Sequence, residues 1–167
     1  MRHPRTAIAG MALSAAALVA LMTEEGYTSK AIIPVKGDIP TLGFGMTERP
    51  DGSKVQMGDT INPVQAVQRT LAYTQRVDSR IKRCVTAPLS QVEYNLMHNF
   101  SYQYGVGALC SSSMVRLANA GDYAGSCNAY LAYRYVGKFD CSTPGNRVCS
   151  GVWARSKDRH DQCMAAQ

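Results

Sequence analysis

The first 83 residues of this 167-residue chain contain no cysteine, and no two cysteines anywhere form a C-x-x-C pair. Histidine is scarce as well, with only His3, His98 and His160. These absences argue against a zinc site, and nothing in the sequence asks for another metal or a cofactor. No stripe of interleaved aromatic and basic residues occurs, and no metal-finger spacing, so the net charge of +6 does not read as a nucleic-acid interface. It suits an anionic polymer or envelope, for which cell-wall glycan and anionic lipid both qualify. Gly-x-Ser-x-Gly is absent, which removes the nucleophile elbow of a serine hydrolase. Internal repeats and low-complexity tails are missing too, leaving one domain of ordinary size, expected to be a monomer.

The cysteines that are present number six: Cys84, Cys110, Cys127, Cys141, Cys149 and Cys163. An even count without metal-ligand spacing reads as disulfides formed in an oxidising compartment. Cys141 and Cys149 flank "STPGNRV", whose Pro-Gly turn brings the two together. The other four allow three pairings, among which the sequence does not choose.

An export signal explains that compartment. Arg2 and Arg5 precede "TAIAGMALSAAALVALM", Thr6 to Met22, which carries no charge and is followed at once by Glu24 and Glu25. A positive flank, an apolar run and an acidic exit direct the N-terminus inward and the rest outward. The run is short for a bilayer and rich in Ala, Gly, Ser and Thr, so its hold on the membrane is marginal. A cleaved signal peptide, a permanent anchor and a signal-anchor that later leaves the bilayer all fit; the position of Glu25 favours the third.

Beyond the run, Ile32 to Gly45 reads as a small hairpin or three-strand element with "KGD" at its turn, and "ERPDGSK" as a second turn around Asp51-Gly52. A long helix follows Asn62-Pro63, with Val64, Val67, Leu71 and Val77 marking its apolar face. Ser90 caps a second helix that Gly105 and Gly107 end, two short helices surround Gly121-Asp122, and "SGVWARSKDRHDQC" forms the last. The C-terminal part is expected to be all helical, and a cleft between unequal lobes follows from this order.

Glu25-Gly26 and, sixteen positions after Glu25, Thr41-Leu42-Gly43-Phe44-Gly45 begin a pattern that continues through "NFSYQYGVGAL", "RLANAGDYAGSC" and "GVWARSKDR". In order and spacing these resemble the phage T4-type lysozymes, glycoside hydrolase family 24, over nearly all of the chain after the N-terminal segment. The resemblance implies an α+β, mainly helical lysozyme-like fold: a small N-terminal β-hairpin lobe, a long connecting helix and a helical C-terminal lobe. It implies a muramidase acting on peptidoglycan, inverting at the anomeric centre, with Glu25 as general acid and Thr41 orienting water. Such chemistry needs one carboxylic acid kept protonated and a second group on the opposite face of the sugar. Arg155 falls where relatives carry an arginine that pairs with the acid.

The pattern breaks in the hairpin. Pro34 stands nine residues after Glu25, where the family has its second carboxylate, and neither it nor Val35 can act as a base. Asp38 is the nearest carboxylate, and it serves equally as a turn residue. Met46 replaces a histidine common in relatives. Thr41 also suits a plain strand, Arg155 a solvated helix face, and Trp153, Tyr102 and Tyr104 suit a glycan groove or helix packing. His160 reads as a surface residue.

The chain looks most like the signal-anchor-release branch of the family. That likeness divides it into a signal-anchor segment, 1–23, and a catalytic domain, 24–167. Residues 6–22 would hold it in the inner membrane facing the periplasm until release makes it soluble there. With no cysteine in the anchor, refolding rather than thiol exchange is the expected switch. A lytic transglycosylase and a non-catalytic disulfide-rich envelope protein are the alternatives.

Overall fold

The structure, a computed structural model, describes residues 3–34 and 37–167. Arg2 of the basic flank, Val35, and Lys36 of the expected turn lie outside the described residues. The chain forms two compact units, one of Leu13–Val77 and one of Met1–Ala12 with Asp78–Gln167.

In the Leu13–Val77 unit, the Ser14 hydroxyl accepts the Ala17 N–H at 3.1 Å and starts helix α1, Ala15–Glu25. Gly26, at φ +69°, ends it. Strands β1 (Thr28–Ile32) and β2 (Thr41–Gly43) then pair antiparallel, Thr28 opposite Gly43 and Ile32 opposite Thr41. The other edge of β1 bonds to the segment before the long helix, through Ala31 N–H to Asp59 O and Ile61 N–H to Ser29 O. Between these lies the expected turn, where Arg49 N–H donates to Ser53 O around Gly52 at φ +85°. Ala31, Leu42, Val55, Ile61 and Ala66 form the core, with Phe44 packed against it.

Helix α2, Pro63–Cys84, begins as the sequence indicates, with Asn62 and Gln65 exchanging side-chain and backbone hydrogen bonds. Its inward face is not the expected one. Val64, Val67 and Leu71 are exposed; Ala66, Thr70, Thr74, Val77 and Ile81 are buried. At Ala66 the reason is the closeness of β2: a Cβ placed on Gly43 would stand 3.2 Å from that of Ala66, so only a small residue fits at that position. The buried threonines keep their hydroxyls satisfied inside the helix, Thr70 on Ala66 O and Thr74 on Leu71 O.

The other unit contains α3 (Gln91–Tyr104), α4 (Val106–Cys110), α5 (Ser113–Asn119), α6 (Tyr123–Asn128) and α7 (Ser150–Ala165). It is not wholly helical: β3 (Tyr135–Val136) and β4 (Phe139–Asp140) form a two-stranded hairpin, too short to leave an alternating pattern in the sequence. The disulfides join Cys84 to Cys110, Cys127 to Cys163 and Cys141 to Cys149. Ser90 and Glu93 close a full capping box at the start of α3. Tyr94 donates to Asp78 at 2.5 Å, and Lys82 and His98 face the same carboxylate. Burial opposes the charge of Asp78, but Lys82 and Tyr94 outweigh it and hold its pKa below the usual carboxylate range.

The uncharged run Thr6–Met22 is divided in this structure. Thr6 exchanges two backbone hydrogen bonds with Leu89, Ile8 is buried, Lys82 donates to Met11 O, and α-helix begins only at Ala15. Among the described residues no helix is long and apolar enough to cross a membrane. Arg5 clamps this arm to its unit. Its guanidinium meets Glu93 at 2.7–3.2 Å, donates to Gln167 at 2.6 Å and lies 3.6 Å from the centre of the Tyr123 ring.

Arg5→Met is expected to lower stability by about 3–5 kcal/mol at neutral pH, because Glu93 would stay buried without its counter-charge. Burial pushes the Glu93 pKa up, but bonds from Arg5, the Ser90 N–H and Gln167 prevail and hold it below the ordinary value. Stability from a lowered carboxylate pKa is complete above the unfolded value of about 4.3 and is lost as pH falls through the folded one. The gap between Arg5→Met and the parent should therefore be widest near neutrality and narrow on acidification, as followed by urea denaturation.

Candidate active site

Glu25 is the last residue of α1, so its side chain leaves the helix where Gly26 turns the backbone toward β1. The Thr41–Gly45 segment comes back to it. Leu42 and Met46 exchange two backbone hydrogen bonds, 2.9 and 3.0 Å, closing a tight loop over Gly43, Phe44 and Gly45. Both glycines have positive φ, +67° and +70°, which L-residues with a Cβ rarely adopt. Gly45 has a second reason to lack a side chain: a Cβ there would stand 2.8 Å from the Glu25 carboxylate oxygen Oε2. The loop backbone and the acid are thus in immediate contact. Phe44 and Tyr27 pack ring to ring at 5.6 Å, and the Tyr27 hydroxyl donates to Ile61 O, fixing both flanks of the loop.

Thr41 opens β2 and is half-buried, held in the ladder opposite Ile32. Asp38 lies in the exposed loop before β2. Among the described residues, the only hydrogen bond to its carboxylate comes from the N–H of its neighbour Ile39, at 2.8 Å. That is local turn chemistry. Two cavities in this unit, about 330 and 400 Å³, are lined by Arg49, Asp59 and Arg69 and by Lys30, Asn62 and Gln65, respectively; neither includes Glu25, Asp38 or Thr41.

In the other unit, Arg155 lies half-buried on α7 with a buried Nε that has no hydrogen-bond partner among the described residues. Arg159, one turn on, is buried and donates to Asn99 and Gln103 of α3, both at 2.6 Å. Its importance is not legible in the sequence, where it looks like one more basic residue on a polar helix. His160 bonds to Asp161 and Asn128. Tyr104 packs with Phe100 and Tyr133. Gly45 is a motif position in the sequence, but its role as the seat of the carboxylate is visible only in the fold.

This fold has known counterparts. The family model described as phage lysozyme matches residues 22–159. The endolysin of Salmonella phage P22 is 30% identical over 128 residues, which are 77% of this chain and 87% of that protein. Among solved structures, the endolysin from Escherichia coli O157:H7 phage FAHEc1 superposes with a TM-score of 0.78 at 27% identity, covering 95% of this chain and 96% of its own. A mutant of P22 lysozyme superposes with a TM-score of 0.72 at 27% identity, over 92% and 99%. The chain belongs to the phage lysozyme family. Its class is accordingly that of a lysozyme-type hydrolase and lytic endolysin.

Proposed function

We propose that this chain is a muramidase that cuts the β-1,4 bond between N-acetylmuramic acid and N-acetylglucosamine in peptidoglycan, with Glu25 as the general acid. The observation that carries the reading is the seating of the Glu25 carboxylate against Gly45, at the end of the Thr41–Gly45 loop. A donor acid must be held in one place relative to the glycosidic oxygen, and a backbone wall does so at no cost in side-chain order. Thr41 orients the attacking water, Asp38 acts as the second carboxylate from its loop, and Arg155 supports the acid. Inversion is the expected outcome.

The same reading includes export and release. Residues 6–22 tether the chain to the inner membrane facing the periplasm, and release lets the segment refold as an arm and α1. In support, Arg5, Thr6 and Met11 are engaged with Glu93, Leu89 and Lys82, contacts a membrane-inserted segment would forgo. Domain boundaries at 1–23 and 24–167 describe the tethered form.

Because the only hydrogen bond to the Asp38 carboxylate among the described residues is local, a lytic transglycosylase is the competing reading, since it needs no water-activating carboxylate. Digestion of purified sacculi followed by mass analysis of the muropeptides decides between them. Reducing-end muramic acid is expected; anhydromuramic acid would transfer the chain to the transglycosylases, and an intact sacculus would leave a non-catalytic envelope protein. Depolarising the membrane is expected to move active enzyme from the membrane to the soluble fraction with all thiols undisturbed. A requirement for a reductant would overturn the refolding switch.

A further inference from the structure

The β3–β4 hairpin exposes more apolar surface than its size explains. Tyr135, Val136 and Phe139 are 52%, 46% and 60% exposed within five residues, and Val148 of the following loop is 73% exposed. Val136 and Phe139 are cross-strand partners, so they share one face of the hairpin, on either side of the Gly137-Lys138 turn. An exposed apolar cluster of this kind is costly in water unless something covers it.

The hairpin is also held rigidly from below. The Cys141 N–H donates to Arg134 O at 2.8 Å, and Cys141 and Cys149 are both buried and joined as a disulfide. The Asn146 amide donates to Asp140 O at 3.1 Å, and the Ser156 hydroxyl donates to Tyr133 O. Fastened at its base, the tip cannot turn its apolar face inward. Its charge is one-sided. Asp140 is engaged by Arg134 and by the Ser142 hydroxyl and N–H, while Lys138 and Arg147 stand exposed.

We propose that this hairpin is a second contact with the glycan strand of peptidoglycan, separate from Glu25. Phe139, with Val136 beside it, takes the apolar face of a sugar ring, while Lys138 and Arg147 take the carboxylates of the muramyl lactyl-peptide side arms. An aromatic ring offers a flat, rigid apolar surface at low entropy cost, and the cations match the sign of the wall polymer. The proposal rests on the muramidase reading for its choice of polymer. It accounts for apolar exposure and positive charge together, with Val136, Lys138 and Phe139 around one turn and Arg147 in the loop that follows.

The test uses the full chain with Glu25→Gln, so that bound substrate is not consumed, and measures its binding to purified sacculi and to phosphatidylglycerol vesicles. Val136→Ser with Phe139→Ser is expected to weaken sacculus binding by about tenfold, at an unchanged melting temperature. Lys138→Glu with Arg147→Glu is expected to weaken it too, with a smaller dependence on salt. In the Glu25 background, the Val136→Ser, Phe139→Ser pair should raise KM on sacculi and leave kcat nearly unchanged. Unaltered sacculus binding by both pairs would overturn the hairpin's role while leaving the muramidase reading intact. Loss of vesicle binding alone would replace glycan by lipid as its ligand, also against the proposal. If the parent neither binds nor digests sacculi, the muramidase reading fails and takes the hairpin with it.

Discussion

Glu25→Gln is expected to reduce peptidoglycan hydrolysis by about a thousandfold and leave the fold unchanged. An amide has nearly the shape of the carboxylic acid but no proton of suitable acidity, and a positioned acid contributes about 10²–10⁴-fold to rate. Gln at this position still fits beside Gly45 and still ends α1, so the circular dichroism and melting temperature should match the parent. Glu24→Gln is the control, because it removes the neighbouring charge but not the group seated on the loop. Turbidity loss of a sacculus suspension gives the rates. Equal activity of the two variants would show that Glu25 is not the acid.

Gly45→Ala is the second large effect, and it reaches the same acid from the other side. The added methyl group would lie 2.8 Å from Oε2 of Glu25, closer than nonbonded atoms approach. The Glu25 side chain is flexible at its end, so the clash is relieved by moving the carboxylate rather than by breaking the loop. Stability should fall by only about 1–2 kcal/mol, the cost of holding alanine at φ +70°. Activity should fall about a hundredfold, because a displacement near 1 Å is enough to spoil proton delivery. Gly52→Ala separates the two causes. Gly52 has φ +85° with nothing within 4 Å of its added Cβ, so it carries the backbone strain without the clash. A Gly52→Ala variant that lost as much activity as Gly45→Ala would remove the displacement argument.

Much of this was legible along the chain because it is local. Asn62 and Ser90 announce two helix starts through contacts only three residues long, and both close in the structure as capping pairs. The Asp51-Gly52 turn and the breaks at Gly105 and Gly121 are equally local. The Glu25 and Thr41–Gly45 pattern pointed to candidate residues through the family resemblance it carries, and the structure brings Glu25 against Gly45. Cys141 and Cys149 are separated by 8 positions, short enough for the turn between them to suggest their bond.

What escaped reading depends on partners far along the chain. The buried face of α2 runs through Ala66, Thr70 and Thr74, and at Ala66 the backbone of Gly43 comes too close for valine or leucine. No hydropathy pattern anticipates that, since it prefers the larger apolar residues that here face solvent. Arg5 reads as part of a basic flank, and only the fold sets it against Glu93, 88 positions away. The pairings Cys84–Cys110 and Cys127–Cys163 likewise required three-dimensional proximity to choose among equivalent combinations. In short-range matters, then, the order of residues determined where helices begin, where the chain turns and which glutamate stands before the glycine loop. The tertiary structure decided which face of α2 is interior, which charges are paired and why position 45 is glycine, because each of these turns on the distance between groups the chain holds far apart.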